Sequence, residues 1–246
     1  MLLTVDVGNT KTELGLWRGD LLVSTMQAPT HDEREWGAWV AHALEGAGPV
    51  MGLALGAVVP AAIPRWAAVA STLGVPFHNI DGNNIPGLPV RLRDRGAIGP
   101  DRVINALGAL SLGPAPCIVV DLGTATTFDV VDATGAFCGG AIAPGAGTAL
   151  DALVAMTARL PRVPLHAPLA AIGTDTTSAM QSGAVFGYAG LIEGLLTRIK
   201  GELGAPAWVV ATGGLATLFA PLCPGVDRVE PALTLRGLRR AWELCA

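Results

Sequence analysis

Asp6-Val7-Gly8-Asn9-Thr10 and Asp121-Leu122-Gly123-Thr124-Ala125-Thr126-Thr127 each join a carboxylate to a glycine and a fringe of hydroxyl and amide side chains. Mg²⁺ takes oxygen ligands of this kind, directly or through water. Glycine lets backbone approach a phosphate closely, and Asn9, Thr10, Thr124, Thr126 and Thr127 can donate hydrogen bonds to it. An ordinary Asx-Gly hairpin turn would account for one such segment. Two in matching contexts point to a phosphate cradle used twice, as in an internally duplicated phosphotransferase or ATPase.

Two unrepeated segments add to this. Gly99-Pro100-Asp101-Arg102 opens an expected helix. Read structurally, Asp101 caps free amides and Arg102 faces solvent. Read chemically, a helix start is an anion site, Arg102 supplies a forked donor for a carboxylate, and Asp101 reaches a substrate hydroxyl. Thr212-Gly213-Gly214 follows an apolar run, and its bare backbone could lie against an adenine and ribose; a plain Gly-Gly turn is equally simple. The stretch Gly139 to Gly145 is a cleft wall or a strand end. The four cysteines and four histidines are dispersed, with no Cys-x-x-Cys spacing, so no zinc site is visible and reduced cysteines of a cytosolic protein are expected.

The elements that must position these residues follow from periodicity. Both Asp turns end apolar runs, Leu2 to Val5 and Cys117 to Val120. Strands are expected at Leu2–Val7, Thr12–Trp17, Leu21–Gln27, Leu53–Val59 and Val75–Ile80, with helices at Asp32–Glu45, Pro64–Leu73 and Arg102–Leu112. The second half repeats the plan. Strands fall at Cys117–Asp121, Thr126–Val131, Ala136–Ile142 and Trp208–Ala211, and helices at Thr148–Leu160, Thr176–Leu203, after Gly214 and at Leu233–Cys245. Three strands, then helix, strand and helix, given twice, predict two ribonuclease-H-like α/β domains around a cleft, residues 1–113 and 114–246, divided near Gly113-Pro114-Ala115-Pro116.

Bulk composition agrees with this plan and excludes others. The chain has 246 residues, 51% of them hydrophobic and 15% charged, which is ample material for two cores. A net charge of −4 leaves no electrostatic footprint for nucleic acid or an anionic membrane. The start lacks a basic n-region, and the uncharged stretch Gly46 to Pro64 is broken by prolines, so neither a signal peptide nor a membrane span is expected.

Together, Asp6-Val-Gly-Asn-Thr10, Gly99-Pro-Asp-Arg102, Asp121-Leu-Gly-Thr-Ala-Thr-Thr127, Gly139-Gly-Ala-Ile-Ala-Pro-Gly145, Met180-Gln-Ser-Gly183 and Ala211-Thr-Gly-Gly214 resemble the type III pantothenate kinases. These belong to the actin, sugar-kinase and heat-shock ATPase superfamily, and the resemblance spans the chain. It implies transfer of the ATP γ-phosphoryl group to the primary hydroxyl of pantothenate, the first step of coenzyme A synthesis, in a cytoplasmic homodimer. It implies Asp101 as the general base, Gly99, Pro100, Asp101 and Arg102 as the pantothenate segment, and Thr176 as a further substrate contact near the dimer interface. ATP contacts are expected from Asp6, Val7, Gly8, Asn9, Thr10, Lys11, Thr12, Glu13, Thr124, Gly213 and Gly214. Asp6 is expected to serve Mg²⁺, directly or through water, and Asp121 a monovalent cation, K⁺ or NH₄⁺. Lys11 is a phosphate contact or a solvated turn residue. Where the family carries Tyr-Asp-Asn-Pro, this chain has Leu92-Arg93-Asp94-Arg95, and Pro100 stands where alanine is usual. The Leu92 to Arg95 segment keeps open a kinase of the same superfamily acting on another hydroxy acid. A non-catalytic regulator of this fold would show damage in the Asp turns or Gly-x-Asp-Arg, and both are intact.

Overall fold

Each half of the chain opens with a three-strand antiparallel meander. In the computed structural model, which describes residues 1–31, 36–46 and 48–245 and only the backbone of 36–39, these are β1 (Leu2–Val7), β2 (Lys11–Arg18) and β3 (Leu21–Pro29). Then come α1 (Trp36–Leu44), β4 (Gly52–Ala57), α2 (Ile63–Leu73), β5 (Phe77–Ile80) and α3 (Pro100–Leu110). The second meander is β6 (Cys117–Leu122), β7 (Ala125–Val131) and β8 (Phe137–Pro144). It is followed by α4 (Ala146–Ala155), α5 (Thr176–Leu203), β9 (Trp208–Thr212), α6 (Ala216–Phe219), β10 (Arg228–Val229) and α7 (Leu233–Cys245).

The sheets have the orders β3-β2-β1-β4-β5 and β8-β7-β6-β9-β10, so the duplication seen in two short turns extends to the full strand order. β4 joins β1 in parallel and β9 joins β6 in parallel. β1 and β6 are central strands, covered on both faces. That is why they read as continuous apolar runs rather than alternating ones. β3 is an edge strand and is largely exposed.

The chain divides into two compact units, Met1–Gly113 with Ala232–Ala246, and Pro114–Pro231. In the first, Leu3, Val5 and Val7 face Val40 and Trp66, on α1 and α2. The opposite face of β1 carries Leu2, Thr4 and Asp6, because successive side chains alternate. There Leu2 and Trp17 meet Leu235 of α7. A β-carbon on Gly237 would lie 2.0 Å from the Ile104 carbonyl oxygen, so α7 and α3 touch backbone to backbone, and Thr234 donates to Asn105 Oδ1 at 2.7 Å. In the second unit Ile118, Val120, Leu122 and Phe128 pack on Val185, Ile192 and Phe219 of α5 and α6.

Three expectations are corrected. The terminal helix, read from sequence as part of a 114–246 half, belongs to the first unit, because its buried stripe Leu233, Leu235, Leu238 and Ala241 packs there. The helix expected to reach Leu160 stops at Ala155, ahead of Pro161 and Pro164. The helix expected from Arg102 begins at Pro100, whose missing N–H costs nothing at a first-turn position. β10, only two residues long, has no legible pattern in sequence. The expected start of the first helix at Asp32 lies outside the described residues. Among the described residues no helix is long and apolar enough to cross a membrane. The four cysteines are free, and burial pushes the Cys117 thiol up to about 12 and the Cys223 thiol up to about 11.

Candidate active site

The first Asp turn sits at the end of β1. Register pairs Asp6 with Glu13 directly across β1 and β2, which places two carboxylates side by side on the α7 face. Burial raises the Glu13 carboxyl above its ordinary value, with a Gln27 hydrogen bond and the Lys11 charge partly opposing it. The Gly8 N–H donates to the Lys11 carbonyl at 2.9 Å and closes the turn. Asn9, Thr10 and Lys11 are exposed at its tip, whereas Val7 and Thr12 are buried. The Val7 carbonyl accepts from Val58 N–H at 3.0 Å, and the Thr12 hydroxyl meets that of Thr30 at 3.2 Å. Thr30 lies outside every motif, and nothing in the sequence distinguishes it from any other threonine after a strand.

The second turn is likewise closed by its glycine N–H, in a loop one residue shorter. Gly123 N–H donates to the Ala125 carbonyl at 3.0 Å, and Gly145 N–H and the Thr148 hydroxyl both donate to the Thr124 carbonyl, at 3.0 and 2.7 Å. Asp121 is paired in register with Thr127, whose hydroxyl donates to the buried Asp129 carboxylate at 2.9 Å. β9 delivers Thr212 beside Asp121, and the chain then turns at Gly213 with φ of +87°. A β-carbon there would lie 2.5 Å from Asp121 Oδ1 and 2.8 Å from Leu122 backbone, so only glycine fits. Gly214 is exposed, with open space where its side chain would be. Gly213 is thus bound to the Asp121 turn within one unit, a relation that sequence alone does not give.

The Gly99 to Arg102 segment forms the start of α3. Gly99 is the cap, Pro100 the first helical residue, and Asp101 lies in the first turn with its Oδ1 accepting from Arg102 N–H at 2.9 Å. Asp101 is largely withdrawn from water. That burial raises its carboxyl above the ordinary range, and the Arg102 amide and charge pull it back in part. Pro100 has no N–H and the Arg102 N–H is committed to Asp101 Oδ1 and the Gly99 carbonyl, so the forked guanidinium of Arg102 is the group here whose chemistry suits an organic anion, beside a carboxylate of enhanced basicity. Upstream, Asp94 Oδ1 accepts from the Gly96 and Ala97 amides at 3.1 and 3.3 Å, and Arg95 donates to the Val90 carbonyl at 3.0 Å. Leu92 to Arg95 is thereby held in a turn of its own.

Thr176 is exposed at the start of α5, next to Asp175, which caps that helix by a reciprocal bond with Ser178. It borders an apolar pocket of about 610 Å³ lined by Leu150, Leu153, Met180 and Tyr188 of α4 and α5. The Tyr188 hydroxyl donates to the Pro144 carbonyl at the end of β8. Among the described residues no three His, Cys, Asp or Glu side chains gather as a metal cluster. The oxygen donors at Asp6 with Glu13, and at Asp121 with Thr127, suit hard cations that retain water or take further oxygens from a nucleotide.

Comparison with known proteins gives the family and the fold. The family model for type III pantothenate kinase matches residues 2–198. A type III pantothenate kinase from Thermomicrobium roseum is 45% identical over 251 residues, covering 99% of this chain and 97% of that protein. Component A of (R)-2-hydroxyglutaryl-CoA dehydratase from Acidaminococcus fermentans is similar in fold, with a TM-score of 0.56, 16% identity, and coverage of 100% and 99% of the two chains. The ROK hexokinase of Thermus thermophilus is similar at a TM-score of 0.50, 18% identity, and coverage of 98% and 97%. These two likenesses show the fold alone, that of the actin-like ATPases and sugar kinases. The family match and the full-length identity together establish that the chain belongs to the type III pantothenate kinases.

Proposed function

We propose that this pantothenate kinase, which makes 4'-phosphopantothenate at the first step of coenzyme A biosynthesis, uses Asp101 as its general base. The observation that carries the reading is the placement of Asp101 at the start of α3, withdrawn from water, with its carboxyl raised and Arg102 adjacent. Gly99, Pro100 and Arg102 hold pantothenate, the forked guanidinium taking its carboxylate. Thr176 adds a contact. The hydroxyl oxygen of pantothenate bonds to the γ-phosphorus, the bond from that phosphorus to the bridging oxygen of ADP breaks, and the hydroxyl proton passes to the Asp101 carboxylate. Such transfers have loose transition states, so holding the two reactants in line outweighs base strength.

Residues Asp6 to Glu13, with Thr124, Gly213 and Gly214, contact ATP. Asp6, with Glu13 across the strand pair, holds Mg²⁺ directly or through water, and Asp121 holds a monovalent cation, K⁺ or NH₄⁺. Bound cations neutralise charge on the phosphates. Lys11, exposed at the turn tip, adds a positive charge for phosphate. The apolar face of α4 and α5, where Leu153 is 44% exposed, with Met156 just past the end of α4 at 88%, supports a homodimer through that face. A cytoplasmic location accords with four free cysteines and with this metabolic role. Folded protein should form phosphopantothenate from ATP, Mg²⁺ and pantothenate, faster in K⁺ than in Na⁺ buffer. No product in either buffer would overturn the reading.

A further inference from the structure

We propose that Thr30, which no motif contains, is a positioning residue that sets the first Asp turn for ATP; this rests on the reading of that turn as an ATP contact. Thr30 follows β3 directly and is buried, 8% exposed. Its N–H donates to the Thr10 carbonyl at 3.0 Å, and its hydroxyl donates to the Gly8 carbonyl at 2.7 Å. A hydroxyl has one proton, so in the 3.2 Å contact with Thr12 the Thr12 hydroxyl is the donor and Thr30 the acceptor. The result is a directed relay, Thr12 to Thr30 to the Gly8 carbonyl, in which both threonines are buried.

A trans peptide points its C=O and N–H in opposite directions. Drawing the Gly8 carbonyl onto Thr30 therefore turns the Asn9 N–H away from Thr30, toward the exposed tip formed by Asn9, Thr10 and Lys11. An outward amide in a glycine turn is what a phosphate oxygen binds. The second unit holds its turn in a parallel way. Gly145, which follows β8 as Thr30 follows β3, donates its N–H to the Thr124 carbonyl, and the hydroxyl to that carbonyl comes from Thr148 on α4. In both units a hydroxyl outside the turn fixes a carbonyl inside it.

The test compares Thr30→Val, Thr30→Ser and Asn9→Ala by steady-state kinetics, varying ATP and pantothenate separately, with amide hydrogen exchange on ligand-free protein over residues 8–12. Thr30→Val keeps the β-branched shape and removes the hydroxyl. We expect its KM for ATP to rise about tenfold, because the Thr30 hydroxyl makes two of the hydrogen bonds that hold the turn. Its kcat and its KM for pantothenate should stay within about twofold, and exchange over 8–12 should quicken. Thr30→Ser should restore wild-type values. If Thr30→Val does not fold, Thr30→Ala is measured in its place with the same expectations. A KM for ATP within twofold of wild type, with Asn9→Ala raising it, would overturn the role of Thr30 alone. An equal loss for both substrates, not rescued by serine, would make Thr30 merely structural and also overturn it. Faster exchange with neither Thr30→Val nor Asn9→Ala changing the KM for ATP would overturn the ATP reading of the turn, and this role with it.

Discussion

Gly213→Ala and Gly214→Ala are neighbouring substitutions in one turn, and they should behave very differently. At φ of +87° an L-residue is strained by about 1–2 kcal/mol. The new β-carbon would also sit 2.5 Å from Asp121 Oδ1 and 2.8 Å from the Leu122 backbone. Carbon in ordinary contact needs about 3.5 Å, so the carboxylate or the β6 backbone must retreat by close to an ångström. Crowding of that kind costs about 1–3 kcal/mol. The sum, about 2–5 kcal/mol, should lower Tm by roughly 5–15 °C in a chain of this size. Gly214 has open space at the same place, so its alanine variant should stay within about 0.5 kcal/mol of wild type. Thermal melts followed by circular dichroism read the stability difference. Kinetics with ATP and K⁺ varied read the displacement of Asp121, which should weaken both in the Gly213 variant alone. Equal Tm values for the two variants would refute the contact between Gly213 and the Asp121 turn.

Three further outcomes follow from the same geometry. Gly237→Ala drives a methyl group toward the Ile104 carbonyl, forcing α7 off α3, and should cost about 1–3 kcal/mol, readable as a fall in Tm. Because burial raises the Asp101 carboxyl, kcat/KM should fall at acid pH with a midpoint above the ordinary aspartate value of about 3.9, the base being lost as it protonates; a pH-rate profile locates it. A folded-state pKa raised above the unfolded one gives stability that is complete below the unfolded pKa and lost as pH rises through the folded one. Asp101→Asn removes that loss, so its Tm at pH 7 to 8 should equal or exceed that of wild type, and the difference should shrink in melts at lower pH.

The sequence was most legible where local chemistry and tertiary role coincide. Thr176–Leu203 and Leu233–Cys245 have a strong start signal or a clear apolar stripe, and both helices lie where expected. The central strands β1 and β6 show themselves by apolar runs that only a doubly covered sheet position requires. What stayed hidden depends on long-range register. Nothing in Leu233–Cys245 says which unit it covers, because an apolar stripe specifies burial and not a partner. Asp6 and Glu13 are seven residues apart in sequence, and only the hairpin register makes them neighbours. Thr30 has no local signature because its role comes from two carbonyls far back along the chain. Asp101 was legible as a helix-start carboxylate, but its withdrawal from water comes from the fold around α3.

The central claim is that Asp101 takes the proton from the pantothenate hydroxyl while ATP is held elsewhere. Its most direct test is turnover of pantothenate by Asp101→Asn, with the Kd for ATP measured on the same preparation by calorimetry. A fall in kcat of about 10²–10⁴-fold with ATP affinity within about twofold of wild type is the predicted result. Wild-type turnover in this variant, or loss of ATP binding with it, would contradict the assignment.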